Sequence, residues 1–103
     1  MRGIVPPGKA TCAKYGLTQE EWLRILADQG WVCAICENGN VRWNTDHEHV
    51  PGWRRMSDAR RRLYVRGVLC WRCNRHLLPA DMTLERAKNV VRYLTDFAAR
   101  RPR

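Results

Sequence analysis

Two CxxC pairs, Cys33/Cys36 and Cys70/Cys73, bracket a short acidic and histidine-rich stretch, Asp46-His47-Glu48-His49, and the second pair runs directly into Asn74. Four thiolates at this knuckle spacing close a tetrahedral zinc site, and the chemistry sets no limit on the span between the pairs when that span is itself a structured hairpin. Four buried or redox cysteines are the other reading, and it leaves the matched pairing unexplained. The fifth cysteine, Cys12, is then a free thiol, because four sulfurs already complete the site. Asp46, His47 and His49 offer a carboxylate and imidazoles that the zinc does not need. Hydrolysis of a phosphodiester calls for a hard divalent cation on oxygen ligands and a neutral imidazole able to deprotonate water near pH 7. The segment contains both. The plainer alternative makes the two histidines polar satisfiers or substitute zinc ligands. Asn74 has an amide oxygen suited to a hard cation, and its ordinary use would be a helix cap or turn.

These residues need elements to hold them. Met1 to Gly16 is marked by Pro and Gly and weakly patterned, which predicts an extended arm or loop. A helix then opens with Thr18 as N-cap, Glu21 as its capping-box partner and Leu17 with Trp22 as a hydrophobic staple, running to about Gln29 and stopping at Gly30. Trp31 to Cys36 reads as a short strand leading into a knuckle. Val41 to Asp46 and Tyr64 to Leu69 read as two further strands. Between them, His49 to Arg62 holds Pro51-Gly52 and an arginine cluster, so a long, mobile, cationic loop is expected. A short helix over Trp71 to Leu77 ends before Pro79. The last element, from near Thr83, repeats Leu84, Ala87, Val91, Leu94 and Ala98 at helical spacing for about four turns, either covering the zinc module or reaching toward a partner. Along a strand, alternation sends Asp46 and Glu48 to one face and His47 and His49 to the other; Asp46 and His49 meet at one metal only through a twist or bulge near His49. Trp43 is expected in the core. Trp53 stands open between core packing and stacking on a base.

A chain of 103 residues with 45% hydrophobic and 28% charged residues has the composition of one globular domain, small enough for a metal staple to matter. No apolar run approaches the length of a membrane span, and Met1 to Gly8 lacks the apolar stretch of a secretory signal. A reducing, cytoplasmic location is therefore expected, where the cysteines serve metal rather than disulfides. With 19 Lys+Arg against 10 Asp+Glu the formal charge is +9, and four thiolates around one Zn²⁺ remove only two of those charges. A polyanionic partner follows. Arg54, Arg55, Arg60, Arg61, Arg62, Arg66, Arg72 and Arg75 crowd one segment against the single acid Asp58; their forked donors suit phosphate oxygens.

Taken together, Cys33-x-x-Cys36, Asp46-His47-Glu48-His49, Val65-Arg66-Gly67-Val68-Leu69-Cys70 and Cys70-Trp71-Arg72-Cys73-Asn74-Arg75-His76-Leu77-Leu78 resemble the recombination endonuclease VII family of phages, a branch of the HNH or His-Me finger nucleases, over residues 15–97. The resemblance implies an α+β fold: a small zinc-stapled ββα-metal (His-Me finger) domain flanked by helices, with an N-terminal arm over 1–16, the nuclease domain over 17–98 and a basic tail over 99–103. It implies an HNH-type phosphodiester hydrolase in which Asp46 and Asn74 hold a catalytic Mg²⁺ or Mn²⁺, His47 is the general base and His49 assists at the metal or phosphate. Structural Zn²⁺ falls to Cys33, Cys36, Cys70 and Cys73. The implied partner is DNA, branched (four-way junctions, flaps) or ordinary duplex, cut in the cytoplasm of an infected bacterium, with homodimerisation through the C-terminal helix open. The competing class is a zinc-stapled DNA- or RNA-binding module that does not cut. The coexistence of Asp46, His47 and Asn74, which binding does not require, separates the two.

Overall fold

The computed structural model describes residues 3–100, so residues 101–103 of the expected basic tail lie outside the described residues. Its first element is α1 (Lys9–Lys14), where the sequence pattern predicts an extended arm. The cause is tertiary: Cys12, in the middle of this helix, is 1% exposed and packs with Leu17, Trp22, Leu26 and Val68. Such contacts stabilise a helix too short to form alone. Burial also pushes the Cys12 thiol pKa up, so this cysteine acts as a small hydrophobe.

Helix α2 (Gln19–Asp28) begins as expected. Thr18 Oγ1 accepts from Glu21 N–H at 3.0 Å and Thr18 N–H donates to the Glu21 carboxylate at 2.8 Å, while the staple residues Leu17 and Trp22 are both buried. The helix ends in a Schellman closure: Gly30 adopts φ +79°, Gly30 N–H reaches Ala27 O and Trp31 N–H reaches Leu26 O. Trp31 follows at φ +65°, a left-handed conformation that cannot open a strand. The strand expected over Trp31 to Cys36 is therefore absent. In its place the backbone folds into a tight loop, with Glu37 N–H bonded to Cys33 O and Cys33 N–H to Asn38 O, each at 3.0 Å.

Strands β1 (Trp43–His47) and β2 (Val65–Cys70) form one antiparallel pair, running from Trp43 opposite Cys70 to Asp46 opposite Gly67. Beyond Asp46 the register slips, so that His47 faces Val65 and Arg66 has no partner on β1. The segment between the strands is not a mobile loop. It holds a 3₁₀ turn (Trp53–Arg55) and helix α3 (Asp58–Arg62). Ser57 caps α3 by accepting from Arg60 N–H at 3.3 Å. Arg61 turns inward, donating to Met56 O at 2.6 Å and Ala13 O at 3.2 Å and pairing with Asp58. Arg62 donates from Nε to Gly16 O at 2.9 Å. Gly16 itself has φ +75°, and a Cβ there would lie 2.2 Å from Asp58 O, so only glycine lets α1 and α3 approach this closely. Charge composition alone concealed this: two of the three arginines, Arg61 and Arg62, are bonded to backbone carbonyls.

The sheet divides two small cores. Val68, with Thr45 accepting from Trp22 Nε1 at 2.9 Å, meets α2; Leu69 lies with Cys33, Cys70 and Cys73. Trp43 packs against both clusters, in agreement with its expected core role. The Gln29 amide pairs with Val68 in both directions, at 2.9 Å each, and substitutes for a third strand. After β2 the chain is helical over residues 71–77, as the sequence predicts; its last five residues (Cys73–Leu77) form a π-helical turn that closes with Leu78 N–H on Cys73 O at 2.9 Å. Helix α4 (Leu84–Arg100) is capped by Thr83 Oγ1, which accepts from Arg86 N–H at 3.1 Å. None of its residues is buried, so it extends from the module rather than covering it. Among the described residues no helix is long and apolar enough to cross a membrane.

The contrast within the arginine triplet is testable. Arg61→Ala should lower stability by roughly 2 kcal/mol, the scale of lost hydrogen bonds from a charged donor. Arg60→Ala, fully solvated, should stay within about 0.5 kcal/mol of the parent protein. Urea unfolding of the two variants measures the difference, and equal midpoints would contradict a structural role for Arg61.

Candidate active site and metal centre

The sulfur atoms of Cys33, Cys36, Cys70 and Cys73 all lie within 4.8 Å of one another, with Cys36 and Cys70 Sγ 3.7 Å apart. The loop after α2 delivers the first pair; the end of β2 and the π-helical turn deliver the second. Burial opposes ionisation of Cys33, yet N–H groups of Cys70, Cys36 and Ile35 outweigh it and bring the pKa to about 6. Cys73 is driven the other way, to about 12, by burial first and then by its cysteine neighbours. One thiolate thus forms readily and the next are resisted, which is the behaviour of a cluster awaiting a central cation. The four cysteines form a site able to hold a structural metal ion such as zinc.

Strand β1 splits the other candidate residues between its faces. His47 leaves on the face of Thr45 and Trp43; Asp46 leaves on the face of Asn44. His47 stacks on Trp53 at 4.0 Å between ring centroids and 15° between planes, and meets the edge of Tyr15 at 5.6 Å. His49 is exposed and stays on the same side, its ring centroid 4.6 Å from His47. The irregularity that alternation required near His49 lies instead at Arg66, opposite Asp46/His47. Trp53 is 6% exposed, so it supports His47 and is not presented for stacking on a base. Among the described residues the tryptophan most open to solvent is Trp71, flanked by Arg42 and Arg75.

Burial is the main cause that holds the His47 pKa below the ordinary imidazole value of 6.5; His49 acts in the same direction and Asp46 opposes. The imidazole is therefore neutral at pH 7. It opens on a cleft of about 640 Å³ whose walls include Lys14, Tyr15, His49, Trp53, Arg54 and Arg55. Lys14 and Tyr15 belong to the segment that composition reads as an arm, and no motif signalled them. Only the packing of α1 brings them here.

Asp46 is 5% exposed. Both its oxygens are engaged by Arg66, from Nε at 2.8 Å and Nη2 at 3.1 Å. Asn74, on the π-helical turn, donates its amide N–H to Asn44 Oδ1 at 3.1 Å, two residues from Asp46 on the same face of β1. That bond orients the amide and leaves its carbonyl oxygen as the free end, the end a hard cation takes. A carboxylate and an amide oxygen are the kind of hard donors that Mg²⁺ or Mn²⁺ takes. Of the arginines expected at nucleic acid, Arg54, Arg55, Arg60, Arg72 and Arg75 are exposed. Arg61 and Arg62 are bonded into the fold, and Arg66 is held by Asp46.

Residues 8–96 match the family model described as recombination endonuclease VII, and the chain belongs to that family. Two curated relatives, each called Gene 59 protein, one from Mycobacterium phage D29 and one from Mycobacterium phage L5, are 35% identical over 86 residues, covering 80% of this chain and 46% of theirs. The chain therefore spans about half the length of the curated relatives it matches. No solved structure matches it.

Two outcomes follow from this geometry. Cys70→Ser should abolish cooperative unfolding and lower bound zinc, because metal binding in a domain this small is largely folding free energy; a folded variant with undiminished zinc would remove Cys70 from the centre. His47 should titrate below 6.5 in NMR spectra of the metal-free protein. As the pH falls through that value, unfolded His47 takes up its proton first, so native stability decreases in this range and is retained above it. A midpoint at or above the ordinary value would contradict the burial of the ring.

Proposed function

We propose that the chain is a metal-dependent DNA endonuclease that hydrolyses phosphodiester bonds, with a His-Me finger formed by β1, β2 and the π-helical turn. The observation that carries this reading is His47: an imidazole kept neutral by burial, braced by Trp53, opening on a cationic cleft and adjacent in sequence to a buried carboxylate. Membership of the recombination endonuclease VII family supports it.

In this reading His47 takes a proton from the attacking water as the water approaches the scissile phosphorus. The stacked Trp53 ring orients the imidazole, doing by packing what a hydrogen-bonded carbonyl or carboxylate does elsewhere. His49, at the exposed side of the pair, contacts the phosphate. Asp46 and Asn74 would hold Mg²⁺ or Mn²⁺, which when bound supplies positive charge for the phosphorus centre and the leaving 3′ oxygen. Zn²⁺ on the four cysteines fixes the far end of the hairpin. Lys14, Arg54 and Arg55 at the cleft, with Arg60, Arg72 and Arg75 outside it, position the backbone without reading sequence. The substrate is DNA, branched or duplex, in the cytoplasm of an infected bacterium. A homodimer through α4 is supported by Leu84, Val91 and Leu94, which share one face of that helix and are 72%, 64% and 57% exposed.

The test is nicking of supercoiled plasmid. Wild-type protein with Mg²⁺ should nick it and EDTA should stop the reaction. His47→Ala should cut roughly 10²-fold more slowly or worse, with DNA affinity little changed. Binding without Mg²⁺-dependent cleavage by the wild type would favour the non-cleaving module, and one preparation assayed on a four-way junction, a flap and a linear duplex distinguishes the substrates.

A further inference from the structure

The ion pair between Arg66 and Asp46 is not explained by the mechanism above, and it occupies the carboxylate on which the cation depends. Arg66 is the residue left without a partner by the register slip at Asp46/His47. It lies beside Asp46, facing both oxygens with two parallel N–H groups, at 2.8 and 3.1 Å. The Asp46 side chain is 6% exposed and that of Arg66 is 38% exposed. A carboxylate this buried requires a positive partner, and in the metal-free chain the guanidinium is that partner. Arg66 is the more accessible member, and only two of the five N–H donors of a guanidinium are used on Asp46.

We propose that Arg66 is a latch: it holds Asp46 closed to divalent cations in the free protein and releases it when a DNA phosphate takes the guanidinium. The inference rests on the reading of Asp46 as a cation ligand. A divalent ion and a guanidinium compete for the same oxygens and repel each other, so metal binds weakly while the fork is in place. A phosphodiester offers two non-bridging oxygens that the guanidinium fork can take as it takes those of a carboxylate. Once it draws Arg66 outward, Asp46 is left buried and uncompensated, and the cation becomes the favoured replacement. Metal and DNA then bind cooperatively, and linkage requires each to strengthen the other by the same factor. The consequence for the enzyme is that free protein resists loading with metal and assembles its charged site only on a backbone. Arg66 is in this sense a positioning residue acting through Asp46.

Direct measurement of Mn²⁺ binding tests this without reading cleavage. The free Mn²⁺ signal in electron paramagnetic resonance is followed during titration of His47→Ala protein, which leaves DNA intact, alone and with a linear duplex. The same titration of the His47→Ala/Asp46→Asn double variant defines the binding that depends on Asp46. That component should strengthen by about tenfold or more when duplex is present, within the usual range of coupling between sites. Adding Arg66→Gln should give the tight binding without DNA and remove most of the effect of duplex. Arg66→Lys, which keeps the charge but cannot form the fork, serves where the Gln variant folds poorly, and should fall between the two. Asp46-dependent Mn²⁺ affinity unchanged by duplex, or equal in the Arg66 variants and their parent, would overturn the latch while leaving the cation reading intact. Absence of any Asp46-dependent Mn²⁺ binding, with or without duplex, would overturn both.

Discussion

Four sulfurs within 4.8 Å of one another cannot all ionise unless a cation sits among them, and they cannot separate without pulling apart three pieces of backbone. The loop after α2, the last residue of β2 and the first residue of the π-helical turn all meet at this point. Cys70 is also the partner of Trp43 in the strand register. The sulfur cluster therefore fixes where the hairpin starts, and from there the pairing of successive residues determines that Asp46 comes opposite Gly67. A longer hairpin or a larger core would spread this burden. Here the buried side chains are few and divided into two clusters, so a metal ion on the four cysteines would supply the order that packing alone provides in larger domains.

The opposite end of the hairpin is secured by a different kind of contact. Ring stacking of His47 on Trp53, the Trp53 indole N–H near Arg61 O at 3.4 Å and the bonds of Arg61 to Met56 and Ala13 carbonyls join β1, the 3₁₀ turn, α3 and α1 into one support. This is an unusual use of a cationic segment. Arg61 and Arg62, expected to face a polyanion, instead satisfy carbonyls at a helix junction, while Arg60 stays in solvent. Arg60 can then be changed with little cost to the fold, and the hydrogen-bonded Arg61 cannot.

What was legible in the sequence follows from how local each signal is. The capping box at Thr18 and Glu21, the two CxxC pairs and the strand alternation around Asp46 are short-range patterns, and the structure bears out the α2 start, the sulfur cluster and the β1/β2 pair. The family was legible as well, from motifs that lie on those same elements. The segments misread are those whose conformation is set by distant partners. Helix α1 exists because Cys12 reaches Val68 and Trp22. The strand over Trp31 to Cys36 is lost because Trp31, directly after the Schellman closure at Gly30, itself has a positive φ, a feature that an apolar run does not reveal. The loop before β2 is ordered because Arg61 and Trp53 turn inward, and neither arginine content nor Pro51-Gly52 distinguishes an inward side chain from an outward one. At the site, His47 and Asn74 were named from the sequence, whereas Lys14, Tyr15 and the bracing role of Trp53 required the packing of α1 and the 3₁₀ turn.

The two supports are joined through β2, and this connects the sulfur cluster at one end of the hairpin to Asp46 and His47 at the other. Cys70 ends the strand that Val65 begins, and Arg66 sits one residue from that beginning. Gly67 and Val68 between them are clamped by Gln29, whose amide occupies both hydrogen-bonding groups of Val68 and leaves no space for a side chain at Gly67, where a Cβ would come within 2.8 Å of Gln29 Oε1. The clamp prevents the strand from sliding, so the register slip is confined to Arg66. If β2 shifted by one residue, every side chain would change faces: Arg66 would leave Asp46, and Leu69 would leave the cluster around the cysteines. The position of the unpaired arginine is thus set jointly by sulfur ligands at one end of β2, a glutamine in its middle and the buried carboxylate at the other, which is why a bulge that looks like an irregularity in a two-stranded sheet is held in one place.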